Sequence, residues 1–487
     1  MNKLKIVKRI LIGSIICSGL ITQQIFAATS SMDYKETYGI SHITRYDMLK
    51  IPAQENSPQF KVPQFNASTL KNIASAKGYD KDGNLIDLDV WDSWPLQNAD
   101  GTAANYHGYH VVFALAGDPK NPDDTSIYLF YQKIGETSID SWKNAGRVFK
   151  DSDKFAANDS YLKYQTQEWS GSATLTSDGK VRLFYTDFSG AAKDGGTDAS
   201  NQVLTTAQVN LSIPDASTLK IDGVSDHKSV FDGGNGTIYQ NVQQFIDEGK
   251  WISGDNHTLR DPHYVEDNGH KYLVFEANTG TEDGYQGDNS LFNKAFYGGS
   301  EGFFQTEKDK LLVGTKKHDA SLANGALGII ELNNDYTLKK EMKPLIASNT
   351  VTDEIERANV FKMNGKWYLF TDSRGSKMTI DGISARDIYM LGFTSDSLTG
   401  PYKPLNKTGL VLNLNIDPAD TTFTYSHFAV PQTNGKNVVI TSYITNRGLY
   451  TDHHSSFAPS FLLNIQGTKT SVVSNSILEQ GQLTVDK

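Results

Sequence analysis

Cysteine is almost missing from the 487 residues: the only one, Cys17, lies within the first 27. The rest of the chain therefore has no disulfide framework, no thiol nucleophile and no Cys-based zinc site. Basic residues are also short, with 46 Lys+Arg against 56 Asp+Glu and a formal charge of −10. A surface this acidic disfavours nucleic acid and anionic membrane as partners. Long apolar runs are absent too. The main one, residues 10–20, is shorter than the ~20 residues a membrane span needs. It follows Lys3, Lys5, Lys8 and Arg9 and precedes Ile25 and Ala27, which fit the −3 and −1 positions of a signal-peptidase site. Residues 1–27 read as a secretion signal, and residues 28–487 as one exported domain with a formal charge of −14. No P-loop or dinucleotide fingerprint occurs.

What the chain has is aromatic residues and glycine: 23 Tyr, 23 Phe and 41 Gly. Short runs with strand-like alternation outnumber helix-like ones, so the reading is all-β. Helices are expected only over residues 44–51, stopped by Pro52; 68–77, stopped by Gly78; and 243–248, before Gly249. Asx-Gly dipeptides favour the φ > 0 turns of tight hairpins. Five of them, Asp100-Gly101, Asp178-Gly179, Asn268-Gly269, Asn364-Gly365 and Asn434-Gly435, stand between strand-like runs at intervals of 70 to 96 residues. A strand, a hairpin and a stronger apolar strand, repeated five times with room for two more strands each time, is what a five-bladed β-propeller requires. A sandwich in which such hairpins recur by chance is the alternative.

Counting back eight or nine residues from each hairpin glycine reaches the head of each repeat's first strand, where Asp92, Ser170, Asp261, Glu356 and Ser426 stand, with Tyr425 adjacent. In a propeller those strands line the central cavity, so three carboxylates would share one pocket. Trp91, Trp169, Arg260 and Arg357 flank them. Rings that stack and guanidinium groups that fork onto hydroxyls suit a sugar. Paired carboxylates supply glycoside chemistry: one attacks the anomeric carbon and one protonates the leaving oxygen. Clustering of Asp353, Glu354 and Glu356 favours proton retention on one member through like-charge repulsion.

The motifs VWDSWP, EWSGSA, RDP, DEIERANV and TDSRG together resemble those of the levansucrase-type fructosyltransferases of glycoside hydrolase family 68, secreted Gram-positive type, from about Tyr34 to the C-terminus. The resemblance implies a funnel-shaped active-site pocket, Asp92 as nucleophile, Asp261 as transition-state stabiliser and Glu356 as general acid/base. It implies sucrose binding by Trp91, Trp169, Ser170, Arg260, Glu354, Arg374 and Tyr425. It further implies a structural calcium ion on Asp255, Gln286, the Leu322 carbonyl, Asn324 and Asp353, no organic cofactor, and a monomer acting outside the cell on sucrose, fructan and fructo-oligosaccharide acceptors to make a β-2,6-linked fructan. Competing readings are an invertase-like β-fructosidase, an inulin-forming fructosyltransferase and a carbohydrate-binding propeller without catalysis. The first places its acid/base in a Glu-Cys pair, which a chain without Cys beyond residue 17 cannot supply.

Overall fold

The computed structural model describes residues 40–150, 159–191, 198–248, 255–282, 284–446 and 448–485. The expected signal segment, residues 1–27, lies outside them. Five four-stranded antiparallel units follow one another along the chain. Their innermost strands are Asp89–Gln97, Gln167–Leu175, Leu259–Asp267, Glu356–Met363 and Thr424–Pro431. Each innermost strand pairs with the next in sequence, Tyr109–Gly117, Val181–Ala191, His270–Asn278, Lys366–Arg374 and Asn437–Ile444 respectively. The architecture is the expected five-bladed propeller. The Asx-Gly turns sit where the repeat places them, and Asn268-Gly269 and Asn364-Gly365 have φ of 51° and 80° and of 51° and 78°, the doubly left-handed turn that matches strand twist.

Apolar side chains fill the wedges between adjacent blades. Phe184, Leu204 and Phe231 of blade two meet Leu259, Leu273 and Phe275 of blade three. Val360 and Leu369 of blade four pack with Val274 and Leu327 of blade three, and Phe361 and Phe370 pack with Ala429 and Ile440 of blade five. Neighbouring innermost strands also exchange hydrogen bonds: Ser172 Oγ donates to Pro262 O at 2.8 Å, and Ala429 N donates to Asn359 Oδ1 at 2.9 Å. The ring closes where Val90 N donates to Ser455 O at 2.8 Å and Ser455 N to Asp89 Oδ1 at 2.8 Å.

Helices depart from expectation in three places. The first prediction becomes two short helices, Arg45–Met48 and Ile51–Gln54, with Pro52 in the first turn of the second, where its missing N–H costs nothing. Residues 68–77 are not helical: a 3₁₀ turn, Ala67–Thr69, capped by Asn66, leads into extended chain and the strand Lys77–Tyr79. The longest helix described, Glu301–Val313, was not anticipated, because the stripe it buries consists of Phe304, Glu307 and Leu311 and the acidic residue breaks the apolar period. Glu307 is buried because Arg45 Nη2 reaches it at 2.9 Å. The third expected helix is present as Val242–Asp247. No described helix is long and apolar enough to cross a membrane.

Candidate active site

All five innermost strands carry a register shift at the same place, between Val90 and Ser93, Trp169 and Gly171, Arg260 and His263, Glu356 and Asn359, and Tyr425 and Phe428. A bulge adds an unpaired residue and re-aims the side chains beside it. Asp92, Ser170, Asp261, Arg357 and Ser426 occupy these bulges, and Asp261, Arg357 and Ser426 have φ of 57°, 59° and 57°. Glu356 is the last paired residue before its bulge, so the blade-four counterpart of Asp261 is Arg357. Gly171 belongs to the same device: a Cβ there would lie 1.9 Å from Phe184 O.

The bulges open onto one cavity of about 400 Å³ lined by Trp91, Asp92, Trp169, Ser170, Arg260, Asp261, Glu354, Glu356, Arg374 and Tyr425. All ten residues proposed for catalysis and substrate binding thus meet. Ser170 Oγ donates to Asp92 Oδ2 at 2.6 Å. Arg260 sits among carboxylates, with Nε donating to Glu276 Oε2 at 2.7 Å and Nη2 to Glu356 Oε1 at 2.8 Å and Glu354 Oε2 at 3.3 Å. Arg374 faces Glu354 and Glu356 at 3.7 and 3.6 Å with its guanidinium 4.5 Å from the Tyr425 ring centroid. It makes no pair with Asp372, which is fully buried. Trp169 stacks on Phe188 with centroids 4.2 Å apart, which fixes the indole plane at the wall.

Burial, and then the Glu354 carboxylate, push the Glu356 carboxyl up to about 7 against the pull of Arg374 and Arg260. Burial also raises Asp261, with Arg357 and Arg260 opposing the rise and Asp92 adding to it. The site therefore holds one carboxyl able to keep a proton near neutrality beside one that two cations draw toward ionisation.

The proposed calcium ligands gather beside the segments that lead into the strands Leu259–Asp267 and Glu356–Met363. Asp255, Leu322 and Asp353 line a cavity of about 270 Å³. Gln286 Nε2 donates to Asp255 Oδ1 at 2.7 Å and to Asn324 Oδ1 at 3.0 Å. Burial and the nearby Asp255 raise the Asp353 carboxyl well above its ordinary range. A buried carboxylate and a half-buried one, with amide and main-chain oxygens, fit a hard cation. Gln286 presents its NH₂ to the oxygens, and a half-turn of the amide would present Oε1. Among the described residues no three of His, Cys, Asp and Glu gather as a metal group, so the set depends on its amide and carbonyl donors.

Sequence reasoning missed Leu115, Thr125, Tyr443 and Thr445 in the wall, and Glu276 and Asp372 behind it. A usable signal existed. Counting forward from the hairpin Asn as far as the site residue lies back gives Glu276 opposite Arg260, Asp372 opposite Glu356 and Tyr443 opposite Tyr425, and these are the observed cross-strand pairs. Elsewhere, His454 is a loop residue whose Nδ1 lies 3.0 Å from Asp89 Oδ1, and Asp232 accepts from Tyr161.

Residues 32–484 match the family profile described as Levansucrase/Invertase. The levansucrase of Bacillus subtilis is 75% identical over 470 residues, 96% of each chain. A relative from Geobacillus stearothermophilus, described as an inactive levansucrase, is 73% identical over 470 residues, again 96% of each chain. A levansucrase crystallised with sucrose superposes with a TM-score of 0.88 at 75% identity, covering 93% of this chain and 99% of that one. With the match spanning nearly the whole chain, this protein belongs to glycoside hydrolase family 68, the Levansucrase/Invertase family.

Proposed function

We propose that the protein is a sucrose-cleaving fructosyltransferase that builds a β-2,6-linked fructan by double displacement, with hydrolysis of sucrose as a side reaction. The observation that carries the reading is the pairing of a Ser170-held Asp92 with a Glu356 that keeps its proton up to about 7, in one cavity. An inactive relative at 73% identity means that overall similarity does not decide activity; what supports it here is the meeting of Asp92, Asp261 and Glu356 in one pocket.

With Oδ2 engaged by Ser170, Oδ1 of Asp92 is the oxygen left to attack the anomeric carbon of the fructosyl unit. As that bond forms, the glycosidic bond breaks and its electron pair takes the Glu356 proton, releasing glucose. Asp261, as a carboxylate facing Arg357 and Arg260, would offset the positive charge that develops on the ring. Glu356, now a carboxylate, removes a proton from an incoming hydroxyl, whose oxygen displaces Asp92 and restores both groups. Two inversions give retention. Arg374 stands half-exposed at the rim beside Tyr425 and can fork onto a sugar acceptor, which favours an ordered hydroxyl over water.

The supporting parts are proposed on the same footing. Asp255, Gln286, Asn324, Asp353 and the Leu322 carbonyl would hold a calcium ion that supplies a multivalent link between loops and takes no part in bond breaking. The leader supports export, and the chain acts as an extracellular monomer. The test is to incubate purified protein with sucrose and measure glucose and fructose separately. Glucose in excess of fructose is the expected result; equal amounts would make the protein a hydrolase, and neither sugar would make it a binding propeller.

A further inference from the structure

Arg357 directly follows the acid/base and contacts the strands of the other two catalytic carboxylates. Its main-chain N–H donates to Asp261 Oδ2 at 3.0 Å, and its Nη2 donates to the carbonyl of Ser93, the residue after Asp92, at 2.9 Å. Blades one, three and four meet in this one residue. The side chain is 3% exposed, and its guanidinium lies 5.6 Å from the ring centroids of both Trp94 and Phe428. Its backbone is left-handed, φ 59°, a conformation that a long side chain keeps only when its surroundings impose it. Arg357 is not part of the cavity wall, so it acts beneath the substrate.

The charged and titratable groups that face it are few. Asp261 and the fully buried Asp372 both feel the guanidinium as an opposing charge. His263, pushed down to about 3 by burial and by Arg357, is neutral, and Tyr443 is the remaining neighbour. Asp261 itself is faced by Arg357, Arg260 and Asp92, and its charge is also felt by Glu356 and Glu276. Arg260 is shared among three glutamates, whereas the Arg357 guanidinium makes no hydrogen bond to a carboxylate among the described residues and is the larger of the two charges opposing the rise in Asp261.

We propose that Arg357 is the positioning residue that sets the spacing of Asp92, Asp261 and Glu356 and supplies a cation to Asp261. The proposal rests on the fructosyl-transfer reading and assigns a role to a residue that does not touch substrate. Removing the guanidinium leaves two buried carboxylates, Asp261 and Asp372, without the cation between them, and Asp261 then takes up a proton. Replacing it by lysine keeps the charge and loses the fork that reaches Ser93.

The test uses the full chain carrying Arg357→Met and Arg357→Lys, with pH profiles of kcat/KM on sucrose. Arg357→Met should lower kcat ~100-fold and move the acid limb up by about one to three pH units. KM should change less than kcat. Arg357→Lys should lower kcat while leaving the acid limb in place, and millimolar guanidinium should restore part of the activity of Arg357→Ala. Carbon-13 NMR of carboxyl-labelled aspartate follows the Asp261 titration without substrate, so a wild-type protein inert on sucrose would defeat the functional reading and still leave this one measurable. A methionine variant that loses activity with an unmoved acid limb and an unmoved Asp261 titration would overturn the proposal, because a purely structural role does just that. Should Arg357→Met fail to fold, the lysine variant and guanidinium rescue decide, and loss without rescue counts against it.

Discussion

Glu356 is useful as an acid only while it keeps its proton, and its environment, more than its chemistry, provides that. Burial and Glu354 raise its carboxyl to about 7, while Arg260 and Arg374 limit the rise. The protonated form is the competent one for the first step, so kcat/KM on sucrose should fall as pH rises through about 7, tenfold per unit beyond it. Glu354→Gln removes the repelling charge and should move that limb to lower pH; a limb that stays put would exclude Glu354 as its cause. Glu356→Gln should cost far more on sucrose than on a fructoside with an acidic phenol-like leaving group, and equal losses would remove Glu356 from the role. Glu276 acts one layer out. It is fully buried and its partner is Arg260 at 2.7 Å. Breaking such a pair costs about 3–5 kcal/mol, so Glu276→Ala should lower the melting temperature. It should also release Arg260 toward Glu356, shifting the alkaline limb down, which pH profiles of the folded variant would register.

The bulged strand head is the element that turns a repeat into a site. Two glycines of the repeat, one in the hairpin turn of blade four and one at the bulge of blade two, answer to different demands. Gly365 has φ 78° with nothing within 4 Å of an added Cβ, so Gly365→Ala meets only the backbone penalty of about 1 kcal/mol and should leave kcat unchanged. Gly171 has ordinary φ, yet its Cβ would lie 1.9 Å from Phe184 O and 2.7 Å from Tyr185 Cα. Gly171→Ala should therefore push Ser170 off Asp92 and lower both stability and kcat, a contrast that thermal melts and sucrose turnover would show side by side. The same element explains what the sequence made legible. Asx-Gly turns are local, so the five-fold repeat could be read from them, and the heads of the first strands led to Asp92, Ser170 and Asp261. The bulge is not local: its extra residue shifts the phase, and counting back reached Glu356 where the geometric equivalent is Arg357. The helix Glu301–Val313 escaped because Glu307 on its buried stripe answers to Arg45, 262 positions away. The calcium ligands came from family resemblance alone, since no period links Asp255 to Asp353.

At the scale of the whole molecule, the weak points are the long excursions between blades, and the proposed metal site gathers several of them. Asp255 precedes the strand bearing Arg260 and Asp261. Gln286, Leu322 and Asn324 lie in the insertion between His270–Asn278 and Gly325–Leu332, and Asp353 immediately precedes Glu354 and Glu356. Asn256 joins the two centres: its N–H donates to Asp353 Oδ2 at 2.9 Å and its Nδ2 to Glu354 Oε2 at 3.3 Å. An ion bound only by the folded chain would stabilise it by ~2.7 kcal/mol at a hundredfold excess over Kd. Calcium should therefore raise the melting temperature, and a chelator should lower it without abolishing turnover at low temperature, because no bond-breaking step needs the ion. Magnesium should do much less, since it demands near-ideal octahedral geometry and gives up water reluctantly, which a fixed set of amide and carbonyl oxygens does not suit. Asp353→Ala removes one of the two carboxylates and should erase the calcium response in a thermal melt. A variant that keeps the full response would place the ion elsewhere, and equal responses to the two cations would reduce the effect to screening of an acidic surface.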